Sequence, residues 1–150
     1  MKKVLTAKEM QDIDAIASSH YGIDGLKLMK NAGNSIVKQI KIKFDDLLNK
    51  RIFLFCGKGN NGGDGLVAAC LFFGMGVSVT VILLEKRINL KGNTSINAEL
   101  AFNLGVNIIE IEGMHSDLLQ YNLDRCDIII DALLGTGLTR PVEGIYKKAI

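Results

Sequence analysis

A doubly wound α/β fold, with a mainly parallel sheet and two helices ahead of it, is predicted by three features of the chain. Short apolar runs at residues 52–56, 77–84, 106–111 and 126–134 alternate with segments of helical period, the order that builds parallel sheets from right-handed βαβ crossovers. These runs are apolar almost throughout, as strands buried on both faces are. Between the first run and the next helical segment lies a loop, residues 57–65, made largely of glycine and asparagine.

The elements follow in order. Thr6 and Glu9 have capping-box spacing, in which the threonine oxygen accepts the third helical N–H and the glutamate reaches back. Met10, Ile13 and Ala17 then mark the buried stripe of a helix ending near Tyr21-Gly22. Asp24 is placed to cap a second helix whose inner face carries Met29, Ala32, Ile36 and Ile40. These two helices can cover the sheet or meet another subunit. Residues 52–56 form the first strand, and residues 65–73, apolar nearly all round, suit a helix packed tightly on it. Gly74 and Gly76 stop that helix, and residues 77–84 give a β-branched second strand. Thr94 is expected to cap a helix running through Ile96, Leu100 and Phe102 to a stop at Leu104-Gly105. Residues 106–111 are the third strand, 116–121 a short helix and 126–134 the fourth strand. Ile145, Tyr146, Ala149 and Ile150 begin a further helical stripe with no stop signal after it. One domain, residues 1–150, is therefore expected to be incomplete at its C-terminal end.

The length suits a single domain with its own core. With 48% hydrophobic and 23% charged residues, a soluble globular chain is expected and disorder is not. A net charge of +2 gives no reason to expect nucleic acid. The lysine-rich patch at residues 38–43 reads as a solvated helix face. Cys56, Cys70 and Cys126 form an odd set, dispersed in apolar segments, which points to free thiols in a reducing cytoplasm. The N-terminus turns acidic before any apolar core of useful length, and no run is long enough to span a bilayer.

The loop at residues 57–65 sits where a strand ends and a helix begins, so free N–H groups and the helix dipole favour an anionic or polar ligand. Glycine at 57, 59, 62, 63 and 65 allows positive φ and close approach of backbone to that ligand. Gly57, Gly59 and Gly62 satisfy a dinucleotide fingerprint, and Glu85 ends the second strand where a ribose-binding acid would stand. The remaining letters disagree with a dehydrogenase. Asp64 would set a carboxylate at the start of the helix, where a pyrophosphate belongs, and like charges repel; it suits a helix cap, a ligand hydroxyl or a cation instead. The second cluster begins at Asp131, whose carboxylate is expected at the carboxyl edge of the sheet, where open α/β folds bind ligands. The plainer alternative is an aspartate that caps a turn. After it, glycine N–H groups, the Thr136 and Thr139 hydroxyls and the Arg140 guanidinium suit phosphate oxygens. Both loops should face one crevice. Asn61 and Asp131 offer oxygen donors for a hard cation. Zinc or iron is not expected, since the cysteines are dispersed and His20 and His115 lack partners at ligand spacing.

With these residues laid out, the chain resembles the YjeF N-terminal domain family, the NAD(P)HX epimerases that include the apolipoprotein A-I-binding protein. The likeness runs over essentially all of the chain: residues 5–10, 21–23 and 28–33, the loop 57–65, and residues 131–137. The resemblance implies a Rossmann-like domain, usually a homodimer, that interconverts the R and S epimers of hydrated NADH and NADPH and feeds a dehydratase, fused or separate. It further implies that Asn60, Asn61, Gly62, Gly63 and Asp64, with Gly135, Thr136, Gly137, Leu138, Thr139, Arg140 and Pro141, bind the substrate. Asn61 and Asp131 would ligate a potassium ion. The nucleotide is then substrate rather than hydride carrier. Lys30 departs from the acidic residue common at its position, and the family's later D-x-P-S-G segment, with a further substrate-binding aspartate and a serine ligand for potassium, would lie beyond Ile150. Within residues 1–150 the catalytic candidate is Asp131. The alternative is a catalytically inactive nucleotide-binding or scaffold module of the same fold, as in decapping-enhancer relatives of this domain.

Overall fold

The computed structural model describes residues 4–111, 124–138 and 141–150. The first helix, α1 (Ala7–Ser19), begins with the expected capping box: Glu9 N donates to Thr6 Oγ1 at 3.2 Å, and Thr6 N donates to Glu9 Oε2 at 2.7 Å. Its expected buried stripe is not observed. No α1 residue is buried, and Met10, Ile13 and Ile16 are exposed. Helical spacing defines an apolar face but not what covers it, and none of the described residues buries this one.

Helix α2 (Gly25–Lys43) is capped by Asp24, whose side chain accepts from Leu26 N at 3.2 Å. Met29, Gly33 and Val37 form its buried line, with Ala32, Ile36 and Ile40 partly buried beside it. Lys38, Lys41 and Lys43 are exposed, as a solvated face requires. The chain then gives β1 (Arg51–Cys56), α3 (Asn60–Gly74), β2 (Ser78–Leu83), α4 (Gly92–Leu104), β3 (Asn107–Glu110), β4 (Ile128–Ala132) and α5 (Gly144–Ala149). The short helix expected at residues 116–121 lies outside the described residues.

Among the described residues, four strands form one all-parallel sheet in the order β3-β2-β1-β4. Ile52, Leu54 and Cys56 of β1 face the larger core, with Leu66, Ala69 and Phe72 of α3. Phe53 and Phe55 face the other side, against Ile145, Tyr146 and Ala149 of α5. The α/β architecture is therefore the expected one. All three cysteines are free, and burial pushes the Cys56 thiol up, so it is an inert core residue. No described helix is long and apolar enough to cross a membrane.

The fourth strand is shorter than expected, at Ile128–Ala132, and two helix starts also differ. Helix α3 starts at Asn60, inside the expected loop, with Gly59 as an N-cap that contributes no side-chain bond. In α4 the N-cap is Lys91, so Thr94 lies inside the helix and is buried; its hydroxyl donates to Gly59 O at 3.1 Å. The buried line of α4 is Thr94, Asn97, Ala98 and Ala101, while Ile96, Leu100 and Phe102 are exposed. Small residues let α4 lie close to α3, and Phe102 instead carries the Arg87 guanidinium 3.7 Å above its ring.

Candidate functional site

Successive strands run outward from β1 to β2 and β3, whereas β4 lies on the opposite side of β1. That reversal opens a crevice beyond the carboxyl ends of β1 and β4, the place where open α/β sheets hold their ligands. A cleft of about 1130 Å³ lies there. Its walls are the β1–α3 turn and the loop after β4, as the sequence predicts, together with α1, α2 and the start of α5.

The β1–α3 turn is shaped by the chain's packing on itself. A Cβ at Gly62 would collide with the carbonyl of Gly57, and one at Gly57 with the carbonyl of Leu133. At Gly65 a Cβ would meet Ala132 Cβ at 2.6 Å and Cys56 Sγ at 2.8 Å. None of the five turn glycines has positive φ. Glycine is thus needed at 65 because α3 presses against the ends of β1 and β4, at 62 because the helix start folds back on Gly57, and at 57 because the chain after β4 passes directly over it. Gly59 is different: it lines the cleft with open space around its Cα. With no side-chain cap at Gly59, the first N–H groups of α3 are available to a polar or anionic ligand.

Of the expected substrate contacts, Asn60, Asn61, Asp64, Gly135, Thr136, Gly137, Leu138 and Pro141 line the cleft. Gly62 and Gly63 are buried beneath it, Gly63 against Met29 and Thr94. Thr139 and Arg140 lie outside the described residues. Asn61 joins the two walls, its Nδ2 donating to Leu134 O at 3.3 Å. Asp131 sits one residue before the end of β4, paired with Phe55 and on the same sheet face. It is exposed, and its Oδ1 accepts from Leu133 N at 2.9 Å. That bond is a local turn cap, and Asp131 is not among the residues lining the cleft.

Asp64 is the fifth residue of α3, one turn inside the helix rather than at its cap. Half-buried, it has its carboxyl pushed up to about 6, first by burial and then by the Asp14 carboxylate of α1. Sequence reasoning missed that α1 reaches the site at all. Gln11 Nε2 donates to Thr136 O at 2.9 Å, and Gln11 and Asp14 both line the cleft. It also missed Tyr146, whose hydroxyl accepts from Lys58 N at 3.1 Å. Glu85, the would-be ribose acid, is half-buried and accepts from Asn89 Nδ2 at 2.9 Å and from Lys86 N at 3.1 Å; hydrogen bonding to Asn89 is the main reason its carboxyl lies below the usual range. It does not line the cleft.

Fold and cleft together define a Rossmann-like α/β domain with a cleft of mixed polar and apolar lining at the switch point of its sheet. The chain belongs to the family described as YjeF-related protein N-terminus, matched over residues 25–150. It is 38% identical over 149 residues to the bifunctional NAD(P)H-hydrate repair enzyme Nnr of Moorella thermoacetica, covering 98% of this chain and 28% of that one. It is 34% identical over 150 residues to the NAD(P)H-hydrate epimerase of Elusimicrobium minutum, covering 99% and 67%. The crystal structure of yeast ynu0 has the same fold, with a TM-score of 0.84 at 24% identity over 99% of this chain and 63% of that one. The chain spans under a third of the bifunctional relative and about two thirds of the epimerase.

Proposed function

We propose that this domain interconverts the R and S epimers of hydrated NADH and NADPH, as part of nicotinamide nucleotide repair in the cytoplasm. The observation that carries this is the cleft at the switch point, walled by Asn60, Asn61 and Asp64 on one side and residues 135–138 on the other, in a chain whose relatives are named NAD(P)H-hydrate epimerases. The open N-terminus of α3 suits the nucleotide's phosphates, and Thr139 and Arg140 would add donors. Asn60 and Asp64 suit its hydroxyl and amide groups. A dehydratase, carried on the same polypeptide or separate, would consume the product, and the domain would work as a homodimer.

A potassium ion fits the donor chemistry. Asn61 turns its amide N–H toward Leu134, which leaves its oxygen to a cation, and Asp131 retains a second carboxylate oxygen beyond the one bonded to Leu133 N. Both are hard oxygen donors; backbone carbonyls or water would complete the coordination. Bound there, the ion would supply positive charge near the substrate.

The carbon that changes configuration bears a hydroxyl beside the ring nitrogen. Its inversion requires loss and return of water through an iminium species, or opening and closing of the ring, and both need a proton moved to and from oxygen. An assay that separates the two epimers of NADPHX tests the proposal. The protein is expected to speed their interconversion, and Asp131→Asn to reduce both the rate and its dependence on potassium. Binding of NADPHX with no interconversion would identify an inactive nucleotide-binding module instead.

A further inference from the structure

Among the carboxyls on the cleft, Asp64 differs from Asp14 and Glu143 in being half-buried; the other two are exposed. It is held on the second turn of α3, a helix whose inner side is packed without space against β1 and β4, so its position is fixed. Helix α2 contributes no charged group to the cleft, only Gly25, Leu28, Met29 and Ala32, while α1 contributes Asp14, close enough to act on Asp64 by charge. The other ionisable groups on the cleft are Lys58, at the end of β1, and Glu143 and Tyr146, at α5; Tyr146 is already bonded to the Lys58 N–H. Asp131 has one carboxylate oxygen engaged by the Leu133 N–H and does not line the cleft.

We propose that Asp64 is the proton carrier of the site, and that Asp14, which lines the same cleft from α1, is a positioning residue for it. This rests on the epimerase reading above. The step balances without an oxidant or reductant. Protonated Asp64 gives its proton to the hydroxyl oxygen of the hydrated nicotinamide, the C–O bond breaks, water leaves, and the ring nitrogen lone pair forms the iminium C=N bond. Water then adds to the opposite face of that carbon, the C=N pair returns to nitrogen, and the Asp64 carboxylate takes the proton back. A group charged with this task must hold its proton near the working pH, and the shift of Asp64 to about 6, by burial and then by Asp14, runs in that direction.

The test is the pH profile of kcat/KM for NADPHX epimerisation by the wild-type protein, Asp64→Asn, Asp64→Glu and Asp14→Asn, with thermal melts to establish that each is folded. Asp64→Asn is expected to lose roughly 100- to 10,000-fold in rate, and Asp64→Glu to keep part of the activity. In the wild type the rate should fall as pH rises through the Asp64 transition. In Asp14→Asn that fall should move to lower pH, by less than the whole displacement because burial is the larger cause; a merely structural role for Asp14 would not move it. Wild-type protein that does not interconvert the epimers overturns the epimerase reading. Turnover in Asp64→Asn at the wild-type rate, or a profile unmoved in Asp14→Asn, overturns the proton-carrier assignment and leaves the epimerase reading standing.

Discussion

Two helices wall the same cleft and are held in opposite ways. Helix α3 has eight buried residues and lies against the sheet so closely that a methyl group at Gly62 or Gly65 would strike neighbouring atoms. Helix α1 has none buried, and its apolar residues Met10, Ile13 and Ile16 are exposed, Met10 at the cleft. One wall is fixed by packing and the other rests on polar contacts such as that of Gln11 with Thr136. The difference assigns tasks: groups that need a fixed position belong on α3, while α1 can move without disturbing the core.

The strongest way to break this contrast is to press on the fixed wall. Gly62→Ala sets a methyl group against the Gly57 carbonyl, a backbone atom that cannot rotate away. A loss of about 3 kcal/mol in urea unfolding is expected, the upper end of ordinary overpacking. Gly59→Ala, two residues away from Asn61 along the same turn, meets no atoms and should change stability by about 0.5 kcal/mol or less. Equal effects at the two positions would mean that the turn is not closed by α3 packing.

A smaller effect separates the walls by pH. The Asp64 carboxyl is raised in the folded protein from 3.8 to about 6, so folding favours its protonated form. Below pH 3.8 it is neutral both folded and unfolded and costs nothing; the cost grows as pH rises between the two values and is complete above about 6. Asp64→Asn should therefore raise the melting temperature at pH 8 and leave it unchanged at pH 3, the gain being on the order of 1 kcal/mol once solvent screening is allowed for. Asp14→Asn should capture a smaller part of that gain, since burial is the larger cause. A gain of the same size at pH 3 would show that Asp64 ionisation is not its source.

The sequence makes much of the fixed wall legible. Strand runs at β1 and β2, the Asp24 cap, the helix stops at Gly76 and Gly105, and the meeting of the two loops in one crevice all follow from period, turn chemistry and strand order. The reason for the glycines does not. Glycine that admits a ligand and glycine that admits a neighbouring strand look alike in a sequence, and only the contacts of Gly57, Gly62 and Gly65 separate them. Thr94 shows the same ambiguity: a threonine near a helix start signals a cap, yet here it stitches α4 to the Gly59 carbonyl. The loose wall was illegible for another reason. The stripe at Met10, Ile13 and Ala17 says that α1 has an apolar face, while Gln11 and Asp14, which reach the cleft beside Met10, lie outside that stripe, and polar helix residues carry no local mark of a long-range partner.

The smallest effect bears most directly on how the two walls move. Amides of α1 should exchange with solvent through local opening, well before those of α3, whose exchange requires the core to unfold. The Gln11 side chain bonds an exposed carbonyl, a contact worth about 1 kcal/mol at most in water. Gln11→Ala should therefore leave the global unfolding free energy nearly unchanged, because α1 buries nothing that the core depends on. Exchange in α1 should nonetheless accelerate by about fivefold, since the lost bond weakens the closed state of that helix alone. Hydrogen exchange followed residue by residue distinguishes the cases. If α1 is protected as strongly as α3, then it is held by more than polar contacts and the contrast between the walls fails; if α1 opens early but is indifferent to Gln11→Ala, its tie to the second loop lies elsewhere along the helix.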